Sequence, residues 1–150
     1  MKTMKHKIYI SKSNQASEQT LNVIRKLLEY NNVEKAEYDG RDYSSMPIKT
    51  SDALILVSYP EAKEGNNVYL GKGTYIETLK ASTLRIPILF FDGERFYHYK
   101  EILLNDKNDY QKKYGVMEIA EGFSQDDLPV FLKSFPFRPR EIEEQGIEMA

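Results

Sequence analysis

With 150 residues, 41% of them apolar and 29% charged, the chain has the length and composition of one compact globular domain rather than of a disordered or fibrous chain. The absence of Cys excludes disulfides and thiolate chemistry, the two distant His, His6 and His98, exclude a His-rich metal site, and no apolar run approaches the roughly 20 residues of a membrane span. A balance of 21 Lys and Arg against 23 Asp and Glu, net charge −2, argues against a nucleic-acid binder and points to a small cytoplasmic domain that handles a small molecule.

The start, Met1 to Lys7, is basic but leads into too short an apolar stretch for a signal peptide. The first element is a strand, Lys7-Ile8-Tyr9-Ile10-Ser11, ending in the polar cluster Ser11 to Gln15. A helix follows, with Leu21, Ile24, Leu27 and Leu28 on one face, Asn14 or Ser17 as its cap and Asn31-Asn32 as its end. Val33 to Tyr38 is a weaker strand, closed by the turn dipeptide Asp39-Gly40. After a polar stretch from Arg41 to Thr50, Ala53 to Val57 forms a continuous apolar run, expected of a central strand covered on both faces. Glu61 to Gly71 reads as a loop, Gly71 to Leu84 as a helix with Ile76, Leu79 and Thr83 inward, and Pro87 to Phe91 as a second buried strand. Phe96 to Leu104 fits a strand or a short helix, Val116 to Ile119 a fifth strand, and Ser124 to Phe135 a closing helix with Pro129 in its first turn.

Strands alternating with helices are most economically explained by parallel strands joined by helical crossovers. The expected fold is therefore a single three-layer α/β domain, flavodoxin-like or Rossmann-like, with a mostly parallel sheet of about five strands. It spans residues 1–135, and 136–150 form a polar C-terminal tail.

In such a sheet a ligand binds outside the carboxyl ends of the strands, where strand order reverses. That rule selects Ser11, Ser13 and Asn14 after the first strand, Asp39 and Arg41 after the second, Tyr59 after the third, and Asp92 after the fourth. Hydroxyls and helix-start amides suit a phosphate or sugar, a Tyr offers a stacking face, and Arg41 a fork for an anion. Each of these residue types is also common in ordinary turns.

The segment Gly71-Lys72-Gly73-Thr74-Tyr75-Ile76-Glu77 carries the most information. It is not a Walker A loop, because Gly65 is one residue too far away and Gly73 stands where Ser or Thr should hold Mg²⁺; it also lacks the third Gly of a dinucleotide fingerprint. Glu77 has two readings. Thr74-x-x-Glu77 matches a capping box, in which the carboxylate would fold back on its own helix. The same carboxylate at the mouth of the crevice can act as a nucleophile, or stabilise an oxocarbenium ion.

The element order together with Gly73 to Ala81 (GTYIETLKA) resembles the nucleoside 2-deoxyribosyltransferase-like family. The matching pieces are Ser51 to Val57, Gly73-Thr74, Glu77, Ala81 and Pro87-Ile88, over an architecture running from Lys7 to Asp92. The resemblance implies that Glu77 attacks the anomeric carbon of a nucleoside or nucleotide in a retaining mechanism, without a cofactor. Gly71, Gly73 and Thr74 would help to hold the substrate, and the protein would work as a homo-oligomer. TIR-like domains share the layout more distantly and cleave the nicotinamide N-glycosidic bond of NAD. Gly71 stands where the family usually has Asp, Leu79 where a Gly is common, and Ser11 to Asn14 where glycines are expected. Those departures fit an alternative, a non-catalytic protein that binds a nucleotide or ADP-ribose derivative. A third reading makes the run Phe96-Tyr97-His98-Tyr99 and the tail an oligomer contact. His98, alone between two tyrosines, is not expected to be an acid–base group.

Overall fold

The computed structural model describes residues 5–13, 16–37, 46–58, 63–104 and 115–134. In chain order these form β1 (Lys7–Lys12), α1 (Glu18–Tyr30), β2 (Glu34–Glu37), α2 (Met46–Lys49), β3 (Ala53–Val57), β4 (Lys63–Glu64) and β5 (Asn67–Leu70). They continue with α3 (Lys72–Thr83), β6 (Ile88–Phe91), β7 (Arg95–Leu104), β8 (Gly115–Ser124), a 3-10 turn (Gln125–Asp127) and α4 (Leu128–Ser134).

All eight strands join one sheet in the order β2-β1-β3-β6-β7-β8-β5-β4. The pairs β1–β2, β1–β3 and β3–β6 are parallel; β6–β7, β7–β8, β5–β8 and β4–β5 are antiparallel. The expected mostly parallel, five-stranded Rossmann-like sheet is thus overturned: the sheet has eight strands, and four of its seven pairings are antiparallel. The physical reason lies in two connections. Only Asp92, Gly93 and Glu94 separate β6 from β7, and so short a link can only reverse the chain, since a parallel return needs a crossover of a dozen residues or more. Residues 63–70, expected as loop, form a hairpin in which Lys63 pairs with Val68 and Glu64 with Asn67 across Gly65-Asn66. Gly65 has φ +60, the left-handed conformation that a two-residue hairpin turn requires.

Alternation along the strands divides the core in two. Ile8, Ile10, Ala53, Ile55, Val57, Leu89 and Phe91 pack under α1 and α4, with Leu21, Ile24, Leu28, Leu128 and Leu132. Tyr9, Leu54, Leu56, Ile88 and Phe90 face the other way, against Ile48 of α2 and Ala81 of α3. β3 is buried along its whole length, as a central strand covered on both faces must be. Ser17 caps α1 by accepting from the amides of Gln19 and Thr20. Its partner in the sequence reading, Asn14, lies outside the described residues.

α1 and α3 end alike. At α1 the amide of Val33 donates to Leu28 and that of Asn32 to Glu29; at α3 Ile86 donates to Ala81 and Arg85 to Ser82. In each the residue past the cap has φ +60, Asn32 in one and Arg85 in the other. Asn tolerates that conformation, whereas a longer side chain is destabilised there by about 1 kcal/mol relative to Gly.

In β7–β8, Phe96 opposes Phe123 and His98 opposes Ala120, so two residues of β8 face Tyr97. Gly122 is one of them, and a Cβ there would sit 1.8 Å from the carbonyl oxygen of Phe96. Of the aromatic run Phe96 to Tyr99, Phe96 is buried, stacked on Phe123 and 4.8 Å from Phe91; Tyr97 and Tyr99 are half-buried, the Tyr99 hydroxyl meeting Ser82 at 2.9 Å, and His98 is exposed. Residues 135–150, the expected tail, lie outside the described residues, and no helix among those described is long and apolar enough to cross a membrane.

Candidate functional site

The parallel half of the sheet reverses its order between β1 and β3. From β1 the chain leaves through α1 to β2, and from β3 it leaves in the opposite direction towards β6. Ser11 and Lys12 at the end of β1 and Ser58 just past β3 stand at this switch, where the Ser13 amide donates to the Val57 carbonyl at 3.0 Å. α3 starts at the same edge and runs back across the sheet to the base of β6.

Tyr9 and Ser11, two residues apart on β1, project to the α3 side. There both hydroxyls donate to Glu77: Ser11 Oγ to Oε1 at 2.9 Å, and Tyr9 to Oε2. Glu77 is 5% exposed. Burial pushes its carboxyl above the usual carboxylate range, against the opposing pull of the Tyr9 and Ser11 hydrogen bonds and the nearby Lys12 charge.

The capping-box reading is therefore overturned. Gly71, not Thr74, is the N-cap of α3, and no side chain caps the helix. Thr74 is buried in the first turn with its hydroxyl donating to the Gly71 carbonyl at 3.2 Å. Gly73 lies half-buried beside it, and a Cβ at Gly71 would meet nothing within 4 Å. The expected inward face of α3 is also corrected. Thr74, Glu77, Thr78 and Ala81 face the sheet, while Leu79 is 40% exposed and Thr83 is exposed. The helix has turned a carboxylate inward at the expense of a leucine, because β1 supplies two hydroxyl donors at that level and α3 carries no continuous apolar stripe to oppose it. Two buried hydroxyls, Thr78 Oγ1 on α3 and Ser58 Oγ beyond β3, have no hydrogen-bond partner among the described residues.

Of the other expected site residues, Ser11 reaches the carboxylate, and Ser13 lies one step further along at the switch. Asp92 stands at the same edge of the sheet, where it builds the β6–β7 turn: Oδ1 accepts from the amides of Glu94 and Arg95, both at 2.8 Å, and Oδ2 from the Tyr97 hydroxyl at 3.2 Å. Asn14, Asp39, Arg41 and Tyr59 lie outside the described residues. Sequence reasoning missed Tyr9. Its signal was available, because a tyrosine two residues before a serine in an aliphatic strand places two hydroxyls on one face.

Two other charged groups are structural. Glu37 of β2 takes a bidentate grip from Arg25 of α1 (2.9 and 2.8 Å) and a third bond from Lys12 at 2.8 Å. The Arg25 hydrogen bond is the main force holding its carboxyl down at about 2. Asp52 is fully buried; it accepts from the Lys7 amide at 2.8 Å and faces His6 Nδ1 at 3.4 Å, at the opposite end of the strands from Glu77. No group of three or more His, Asp or Glu among the described residues is placed to hold a metal ion. His98 makes ring contacts with Phe123 and Phe131 and lies away from the carboxylate.

Compared with family models, with curated proteins and with solved structures, the chain finds no match in any of the three.

Proposed function

We propose that Glu77 is the nucleophile of an enzyme that cleaves or transfers the N-glycosidic bond of a nucleoside or nucleotide. One observation supports this best: Glu77 leaves its own helix uncapped and is held, nearly buried, by Tyr9 and Ser11 at the strand-order switch. A buried carboxylate is destabilising unless it is well partnered, and one oriented by two hydroxyls beside a helix start is an arrangement suited to function rather than to packing. Desolvation makes its oxygens more basic, hence more nucleophilic, while the two donors favour the ionised form that attacks.

In this reading a Glu77 oxygen bonds to C1′ as the C1′–N bond breaks, and the electron pair leaves with the base, which takes up a proton. Water or a second base then displaces the sugar from Glu77, so configuration at C1′ is retained. The free hydroxyls of Ser58 and Thr78 are suited to sugar or phosphate oxygens, as are the uncapped amides at the start of α3. The reading places the protein in the cytoplasm as a homo-oligomer, the latter tested by chain mass in solution.

The experiment is base release from a panel of deoxynucleosides, nucleotides and NAD, followed by chromatography, for wild type and Glu77→Gln. Release by wild type alone supports the reading; equal rates for the two proteins overturn it. The second reading, a binding module for a nucleotide or ADP-ribose derivative, is favoured by Gly71 standing where the resembled family has Asp. Calorimetry showing tight binding with no products would select it.

A further inference from the structure

A hollow of about 300 Å³ opens at the end of α3 away from Glu77, where the chain passes from the helix into β6. Its apolar wall includes Ile86, Pro87, Leu89 and Phe131, and its polar atoms come from Ser82, Arg85, His98 and Tyr99. The Ser82 and Tyr99 hydroxyls bond each other at 2.9 Å, and the His98 ring lies 6.1 Å from that of Phe131 at 49°. None of these groups belongs to the Glu77 site, and Ser82 lies five residues further along α3.

Arg85 singles this hollow out. It occupies the left-handed position past the end of α3, which favours Gly or Asn, and the same motif at α1 uses Asn32. The residue is exposed, and its guanidinium has no ion pair among the described residues. The C-terminal end of α3 favours a cation, but Lys80 in its last turn already supplies one, so a strained backbone position that keeps a long, unpaired cation beside a cavity indicates a role for the charge. We propose that this hollow binds a small anion with a flat apolar body, an aryl carboxylate or aryl phosphate. The guanidinium of Arg85 would take the anionic group, the Ser82–Tyr99 hydroxyl pair would bond it further, and the ring would lie against Phe131 and Ile86. The volume suits one aromatic ring with its substituents and is at the low end for ligand pockets.

The test is an amide-shift titration by NMR with phenyl phosphate, inorganic phosphate and benzyl alcohol as three separate probes. Phenyl phosphate is expected to shift the amides of Ser82, Arg85, Ile86 and His98, and to bind at least about tenfold more tightly than either partial probe. Arg85→Gly is expected to weaken it by about tenfold or more while raising the melting temperature, because Gly relaxes the backbone that Arg strains. Arg85→Gln, which keeps the strain, is expected to lose the binding without the gain. Unchanged affinity in Arg85→Gly, equal affinity for all three probes, or shifts confined to β1 and the start of α3 would each overturn the proposal. Because Glu77 takes no part, Glu77→Gln leaves this titration unchanged, and the two sites stand or fall separately.

Discussion

The proposed nucleophile is a glutamate with a conflict built into its surroundings. Burial drives the Glu77 carboxyl up, while Tyr9, Ser11 and the Lys12 charge pull it down, and burial prevails. A group whose folded value is raised favours the folded state below its ordinary value near 4.5, and loses that contribution as pH climbs through the raised value. Glu77→Gln removes the ionisation, so it is expected to raise the melting temperature at pH 7, with the gain shrinking towards pH 4, while lowering base release by about a thousandfold or more. Thermal melts across pH and a base-release assay check the two halves. Tyr9→Phe deletes one of the two donors and is expected to slow base release by about tenfold. It should also move the acidic limb of the pH–rate profile upward, because the remaining forces hold the carboxyl less firmly in its ionised form. A Tyr9→Phe profile that falls in parallel with wild type, without a shift, would show that the hydroxyl acts only on packing.

At the scale of elements, legibility followed the strength of the local pattern. β3 could be read directly, since five consecutive apolar residues admit little else, and α1 was visible in the spacing of Leu21, Ile24 and Leu28 together with Ser17. The inward face of α3 could not be read from apolar spacing, because it is polar: Thr74, Glu77 and Thr78 make sense only once Tyr9 and Ser11 lie beneath them. The β4–β5 hairpin was missed although Gly65-Asn66 is a two-residue turn signal, because its strands are short and Lys63-Glu64 is charged. Two predictions belong here. Glu37→Gln removes the carboxylate that joins α1 to β1 and β2, and is expected to destabilise the fold by about 1 kcal/mol at pH 7 after solvent screening of this partly exposed group. A depressed carboxyl contributes above its ordinary value of 4.5 and ceases to do so as pH falls through about 2, so the difference from wild type should disappear there. Gly122→Ala drives a methyl group into the backbone of the neighbouring strand and is expected to destabilise by about 2 kcal/mol or more, read from urea midpoints.

Across the whole molecule, a parallel α/β half carries the strand-order switch beside Glu77, and an antiparallel half extends the sheet beyond it. The parallel half was legible because crossover helices separate its strands, and its topology is one ground for the site proposed at Glu77. The orientation of the antiparallel half depended on whether a short link such as Asp92 to Glu94 was read as a connection between neighbours, a matter of tertiary pairing that local pattern leaves open. The claim that joins fold to function is that the Glu77 carboxylate forms a covalent bond to the sugar. Trypsin should release residues 73–80 as one peptide, since Lys72 precedes it and Lys80 ends it. The direct measurement is the mass of that peptide after acid quench of wild-type protein turning over a nucleoside. The peptide is expected to carry the added mass of one sugar residue, removed on longer incubation and absent from Glu77→Gln. Base released steadily with that peptide unmodified throughout, or a sugar found on another peptide, would contradict the assignment.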